Sequence, residues 1–476
     1  MQDAMFIGGE WTQAADRATL PSIDPSTEEV IGAVPAGGPA DIDRAVAAAT
    51  AAAPEWAATP WPERARLLRG LAGRIRDCAE ELAQLDTADA GMPLFGSRGD
   101  IAGAAAELEF FAGLGAEMKG DTLPTAPAQV AMTAREPYGV VGRIVPFNHP
   151  FKFATGKSAA PLMAGNAVIV KHSHQTPLCA ERLVAAGRAA GLPDGLLQFL
   201  HLDHAGTEGL VRHVGVDFVC FTGSVAGGHQ VAKVAAERMI GVGLELGGKD
   251  PAYVRADANL DHAIENLTDG AFFNAGQSCC GIERVYVDRQ VYRRFVDGVV
   301  DLTRAYTLGS PLDKATTLGP LVRASAANFV RGQTADAVAA GARALIDPKT
   351  FPADDGKGAY LAPQVLVDVD HKMRVMTEES FGPVIGIMPV DSDDQAVALM
   401  NDSAYGLTAS IWTTDPDAAL SIGDRVETGT WFMNRCDYLD PALAWTGVKD
   451  SGRGATLSKL GYEALTRPKS YHLRMV

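Results

Sequence analysis

The sequence predicts an α/β protein made of two doubly wound parallel-sheet domains and a small β-hairpin unit. Three observations carry this expectation. Short apolar runs alternate with helical stretches from Gly139 onward, a second alternating set begins near Leu260, and a Pro- and Thr-rich segment with alternating apolar positions precedes both. The 476 residues are enough for about two to four domains at roughly 100–200 residues each, every one large enough to bury its own core.

Taken in order, the region from Asp41 to about Gly91 holds IDRAVAAATAAAPEW and PERARLLRGLAGRIRDCAEELAQL. Both repeat apolar residues near a 3.6 period and read as amphipathic helices, with Asp41 as N-cap and Gly91 as stop. A further helix is expected over 102–116, ending in LGAEMKG. DTLPTAPAQVAMTAREPYG then reads as an extended hairpin leaving the domain. GVVGRIVPF, NAVIVKHS, GLLQFLHL, VDFVCFTG and IGVGLELGG read as short strands. The first four are followed by helical stretches such as TPLCAERLVAAGRAAG and SVAGGHQVAKVAAERM. Strands spaced by helices imply a parallel sheet with right-handed crossovers, whose ligands sit at the carboxyl ends of the strands. Gly247 and Gly248 mark the expected boundary to the second domain, and RPKSYHLRMV reads as a terminal strand that pairs with the hairpin or with another subunit.

Composition narrows the function. A formal charge of −16 without a basic run argues against a nucleic-acid partner, so an anionic ligand must be held by a few local donors. MQDAMFIGGEWTQ lacks the pattern of a secretory leader and no apolar stretch of ~18 residues follows, which points to a cytoplasmic protein with no membrane partner. Cys78, Cys179, Cys220, Cys279, Cys280 and Cys436 are too scattered for a disulfide scaffold and show no metal-binding spacing, so no metal is expected.

Five segments carry chemistry. In FFNAGQSCCGIERVYV a Cys stands beside Gly, Gln and Asn in a turn before a strand, which suits an exposed thiolate nucleophile; the alternative is a pair of small core residues. LELGGKDP places Glu245 at a strand end next to glycines, as a candidate general base, unless it simply pairs with Lys249. VPFNHPF puts Asn148 where its amide could meet a developing oxyanion, although Asn before His-Pro is also a common turn signal. VDFVCFTGSVAGG is strand, turn, helix, so the amides around 223–227 could accept a pyrophosphate, even without a Gly-x-Gly-x-x-Gly fingerprint. Lys171 at the end of NAVIVK offers a positive charge or a ribose donor, and EESFGPVIGI offers Glu379 for ribose hydroxyls and Phe381 for a nicotinamide ring; solvated surface residues are the alternative for Lys171 and Glu379.

With FIGGEW, IDPSTEEVIG, PFNHP, the FTGS turn, ELGGKDP, the Gly-Gln-x-Cys of GQSCC, ESFGPV, NDSAYGLTASIWT and KDSGRG in this order, the chain resembles the aldehyde dehydrogenase superfamily over essentially its whole length. The resemblance implies an enzyme that oxidises a small-molecule aldehyde to its acid with NAD or NADP, through a thioester. Cys279 would be the nucleophile, Cys280 a neighbour without a direct role, Glu245 the general base and Asn148 the oxyanion donor. Ile144, Phe147, Lys171, His174, Phe221, Gly223, Ser224, Glu379 and Phe381 would serve the cofactor. It further implies a Rossmann-like cofactor domain over 1–116 and 137–246, a catalytic domain over 247–446, and an oligomerisation hairpin and strand over 117–136 and 466–476, in a homodimer or homotetramer.

The chain departs from the family pattern in places. Lys171-His172-Ser173-His174 stands where relatives often carry Lys-Pro-Ser-Glu, and without that Glu a 2′-phosphate meets no repulsion, so NADP should be accepted. Ala444-Trp445-Thr446-Gly447 replaces Pro-Phe-Gly-Gly, and Trp445 either narrows the substrate tunnel or packs in a core. Ala455-Thr456 removes a carboxylate that elsewhere helps relay protons. His149 and Lys152 are expected to face the substrate channel, Lys152 hinting at an acidic or polar aldehyde. The competing readings are a CoA-acylating relative, which Glu245 argues against, and a non-catalytic scaffold of the same fold.

Overall fold

The computed structural model describes residues 4–178 and 180–476. Residues 1–3 of the N-terminal segment, and Cys179 within one expected helical stretch, lie outside the described residues.

Helices α1 (Pro39–Ala58), α2 (Trp61–Asp77), α3 (Ala79–Ala90) and α4 (Leu94–Gly113) open the chain. Asp41 is not the N-cap of α1 but its third residue, with Gly38 at the cap. Its carboxylate reaches back to accept from the Gly38 amide (2.9 Å) and the Ala15 amide (3.2 Å) and pairs with Arg44, satisfying donors that a helix start leaves bare. The second expected helix is two, broken at Cys78, and Gly91 ends α3 in the left-handed conformation, φ 80°. Helix α4 starts at Leu94, well before residue 102, and its last turn tightens to a 3₁₀ form over Leu114–Glu117. Its start was hidden because Phe95, Gly99 and Ala102 lie on the exposed face and Ser97, Asp100 and Glu107 on the buried one, leaving little amphipathic contrast.

Among the described residues the first sheet has eight strands, in the order Gly452–Arg453, Gly241–Glu245, Phe218–Thr222, Val140–Ile144, Ala167–Lys171, Leu197–Leu200, Met5–Ile7, Glu10–Thr12. The middle five are parallel and the outer ones antiparallel. Helices α5 (Pro150–Met163), α6 (Ala180–Ala189), α7 (His204–Arg212) and α8 (Val225–Ala236) connect them. Register aligns Ile144 with Lys171 and with Phe221, and Thr222 with Glu245, so these residues lie along one carboxyl edge. From the strand Val140–Ile144 the chain winds first to one side and then, at Phe218, to the other. That reversal opens a crevice between Ile144 and Thr222, where doubly wound sheets bind their ligands.

The second sheet, with seven strands among the described residues, is parallel apart from the edge strand Arg343–Ala344 and centres on Ile282–Asp288 and Asp250–Val254. Ala252 and Val254 join one core cluster and Tyr253 another, so both faces are covered. Helix α9 (Leu260–Phe272) packs on the first of these. After Met433 the chain returns to the first sheet, where Gly452 pairs with Glu245 and Arg453 with Leu244. A third sheet joins Thr122–Leu123, Gln129–Pro137 and Thr466–Arg474. The terminal strand thus pairs with the hairpin of its own chain, antiparallel from Thr466 opposite Pro137 to Arg474 opposite Gln129.

Asp41→Ala should cost about 2 kcal/mol, from a lost helix-start box and unsatisfied buried amides. The expected reading is a lower denaturant midpoint for the first domain with site chemistry unchanged at low temperature.

Candidate active site

Cys279 lies in the loop between α9 and the strand Ile282–Asp288, and sequence fixes that loop tightly. Asn274, Ala275 and Gly276 all take positive φ (50°, 55° and 75°), and an added Cβ on Gly276 would strike the Gly382 carbonyl. Gln277 locks the turn from both ends: its Nε2 donates to the Asn274 carbonyl (3.1 Å) and its Oε1 accepts from the Val322 amide (2.9 Å). Across the interface, Asn148 Nδ2 donates to the Gln277 carbonyl (3.0 Å), while Asn274 Nδ2 donates to the Asn148 carbonyl (3.0 Å). Two side-chain amides thereby tie the carboxyl edge of the first sheet to the cysteine loop of the second.

The two adjacent cysteines part company. Cys280 is 1% exposed and its thiol donates to Asp437 Oδ1 (2.9 Å). The contact with Cys279, burial and Asp437 hold Cys280 well above an ordinary thiol pKa, which keeps it protonated and inert. Cys279 is half-buried and free, and it stands in the wall of two cavities, one of about 480 Å³ and one of about 350 Å³.

The larger cavity occupies the crevice at the sheet reversal. Phe147, Asn148, Gly223, Ser224, Glu245, Glu379 and Phe381 line it together with Cys279. Glu245 is 7% exposed, its Oε2 contacts Lys157 Nζ of α5, and its Oε1 has no protein partner. Lys249, the partner that the motif offers as an alternative, is instead bound to Glu283 and Ser380 Oγ in the second sheet, so the Glu245–Lys249 pairing does not form. Burial and the neighbouring Arg143 bring Lys157 down to about 7, near the point where an amine exchanges protons at neutral pH.

The helix α8 entry is built for close approach. Ser224 caps it by accepting from the Gly227 amide (3.2 Å), and the Phe221 ring lies so near Gly223 and Gly227 that a Cβ on either would sit 2.7 Å from it. Opposite, Glu379 accepts from the Gly248 amide (3.2 Å), and a Cβ on Gly247 would run into its carboxylate. Burial and Glu283 push Glu379 up to about 8, so it is a hydrogen-bonding group more than a fixed charge at neutral pH. Phe381, at φ 50°, meets Phe147 edge-on at 5.8 Å. The Gly223 amide is taken by the Glu245 carbonyl and that of Gly227 by Ser224, so the α8 start at Val225 and Ala226, the small residues of the turn, a carboxyl group and two rings are what fit a dinucleotide. Ile144, Lys171 and Phe221 belong to the strands behind this wall, and His174 is half-buried beside His204 (5.9 Å between rings). Burial lowers the pKa of Lys171 to about 8, and burial with Lys171 lowers that of His174, leaving the latter neutral.

The smaller cavity reaches Cys279 from the other side, past Phe95, Lys152, Phe273, Asp437 and Tyr438. His149 and Lys152 do face it, but Asp100 holds both, at 2.6 Å and 3.5 Å. The charge of Lys152 is therefore spent inside the protein, which removes the reason to expect an acidic aldehyde. Trp445 lines neither cavity: it is buried in the first core cluster, bridged to Thr456. Sequence reasoning missed Lys157. Its signal was a lone cation in the otherwise small and apolar FATGKSAAPLM of α5, a helix buried at every residue but Lys152.

A half-buried thiol between a crevice that fits a dinucleotide and a second cavity matches the class of nicotinamide-dependent, thiol-based oxidoreductases. The model described as "Aldehyde dehydrogenase family" matches residues 11–471, and the chain belongs to that family. The 3,6-anhydro-alpha-L-galactose dehydrogenase of Streptomyces coelicolor is 37% identical over 473 residues, covering 99% of this chain and 96% of that protein. The NADP/NAD-dependent aldehyde dehydrogenase PuuC of Escherichia coli is 35% identical, covering 99% and 95%. Among solved structures, betaine aldehyde dehydrogenase from Staphylococcus aureus in complex with NAD+ superposes with a TM-score of 0.95 at 30% identity, over 100% of this chain and 95% of that one. The protein is an NAD(P)-dependent aldehyde dehydrogenase that oxidises aldehydes to acids.

Cys279→Ser should lower acid formation at least ~10³-fold, whereas Cys280→Ser should stay within about threefold. Steady-state formation of reduced nicotinamide with any accepted aldehyde separates the two.

Proposed function

We propose that Cys279 is the nucleophile, Asn148 the oxyanion donor and Glu245 the base of the hydrolytic step. The observation that carries this reading is the place of Cys279 in the wall of both cavities, one suited to the dinucleotide and one to the aldehyde. The Cys279 sulfur adds to the aldehyde carbon, and the oxygen left negative lies toward Asn148, whose Nδ2 has a second proton besides the one given to Gln277. A nicotinamide held beside Phe147 and Phe381 would supply the acceptor for the hydride of that carbon. Cys279 then carries a thioester. Glu245, whose Oε1 is unpartnered, takes a proton from a water, the resulting hydroxide bonds to the acyl carbon, and the carbon–sulfur bond breaks to release the acid. A carboxylate placed for water, with no need of an acyl-accepting thiol, favours hydrolysis over transfer to CoA.

Phe147, Gly223, Ser224, Glu379 and Phe381 would line the bound cofactor, with Ile144, Lys171, His174 and Phe221 setting the crevice from behind. On this reading 1–116 and 137–246 form the cofactor domain and 247–446 the catalytic domain. The hairpin 117–136 and the strand 466–476 mediate a homodimer or homotetramer, supported by Leu123 and Leu473, which the third sheet leaves exposed. We place the enzyme in the cytoplasm; among the described residues no helix is long and apolar enough to cross a membrane.

Glu245→Gln should keep the first-turnover formation of reduced nicotinamide but slow steady turnover by at least ~10²-fold, with acyl-enzyme accumulating. Mass spectrometry of the intact protein detects the acyl group, and efficient acyl-CoA formation by the parent would overturn the hydrolytic reading. The His174 position predicts usable NADP: kcat/KM for NADP should lie within about tenfold of that for NAD, and His174→Glu should shift the ratio toward NAD by about tenfold or more.

A further inference from the structure

Each hydrolysis leaves a proton on Glu245, a side chain only 7% exposed. The crevice that Glu245 lines is the one assigned to the cofactor, so an inner acceptor gives the proton a way out that does not cross it. A third cavity, of about 180 Å³, lies alongside, walled by Glu107 of α4, Arg143, Cys220, Lys157 of α5 and the turn at 454–457. Lys157 belongs to both places, ion-paired to Glu245 and lining this cavity. The space accommodates several waters.

The polar atoms around it are unusual for a protein interior. Glu107 Oε2, Arg143 Nε and Thr456 Oγ1 are buried without protein partners, as is Glu245 Oε1 beyond Lys157. Glu107 is seated against Gly156, where an added Cβ would strike its carboxylate, so α5 leaves room for it beside Lys157. Asp100 of its own helix, Lys152 and Lys157 of α5 and Arg143 of the strand Val140–Ile144 all face Glu107. Lys157 is faced by Arg143, Glu107, Cys279, Lys152 and Glu245. Burial raises the pKa of Glu107 while it lowers that of Lys157, which brings the two proton affinities toward each other. Gly454, on the rim, is exposed.

We propose that this cavity is the proton outlet of the hydrolytic step, with Lys157 passing the proton of Glu245 to Glu107. The proposal rests on the assignment of Glu245 as the base. The Lys157 ammonium releases one proton through water to the Glu107 carboxylate, and the amine so formed takes the proton of the Glu245 carboxyl. Glu107 then loses its proton to solvent beside Gly454. One proton moves outward and every group returns to its starting state. Glu107 acts through Glu245 and touches no substrate, so it is a positioning and proton-accepting residue. It supplies, from α4, a carboxylate that Thr456 does not.

The test is Glu107→Gln, which keeps shape and removes the acceptor. The first-turnover formation of reduced nicotinamide should match the parent, while kcat falls at least about tenfold and its pH profile shifts. Glu107→Asp, or added small amine buffers, should restore part of the rate. Parental kcat with an unchanged pH profile overturns the proposal, and so does an equal loss of the first-turnover step, which marks distortion of the site. Ala455→Phe, which narrows the rim and leaves every ionisable group in place, should give the same slow turnover after a normal first one; an unaffected kcat overturns the outlet. If Glu245→Gln itself turns over at the parental rate, the reading of Glu245 is what fails.

Discussion

Two reciprocal amide hydrogen bonds, Asn148 to the Gln277 carbonyl and Asn274 to the Asn148 carbonyl, hold the catalytic geometry together. They join sheets with separate cores, and they do so at the backbone that presents Cys279. A thiol between two cavities is useful only if its distance to both contents is fixed. The positive φ values at Asn274, Ala275 and Gly276 curl the loop so that Gln277 can brace it against Val322 as well. The strained conformations of Asn274 and Ala275 persist because surrounding hydrogen bonds over-determine them.

Around this joint, charge is handled in closed groups. Lys249 serves Glu283, which also accepts the Ser380 and Phe381 amides, so the turn bearing Glu379 and Phe381 is held by a buried carboxylate. Asp100 takes up both His149 and Lys152. Lys157 serves Glu245. Each pairing relieves the cost of burying a charge, and each leaves the neighbouring cavity with less net field than its residue list suggests. This is how a chain of formal charge −16 can build an anion-accepting crevice: backbone amides at the start of α8 and Arg323 in the crevice wall provide the donors locally.

The two alternating sets of strands and helices were legible because each rests on local order. Strand apolarity, Gly-Gly turns and a Cys two after Gln survive in any reading of the chain. The start of α4 was not legible, because its exposed face carries Phe95, Gly99 and Ala102 while its buried face carries Ser97, Asp100 and Glu107, so hydropathy does not track burial. Asp41 was placed correctly as a helix-start residue but out of role, since a capping box and an N-cap use the same residue types at different offsets.

Pairing is where tertiary structure decided. Sequence adjacency suggested Glu245 with Lys249 and offered Lys152 as a free cation, yet partners came from distant segments: α5 for Glu245, Glu283 for Lys249, α4 for Lys152. Trp445 likewise went to a core and not to the tunnel. The sequence by itself determined the family and the reaction, because these depend on residue types at short spacing. The fold alone decided which charges neutralise one another, since Coulomb and desolvation energies depend on distance in space and on burial, and neither is a function of separation along the chain.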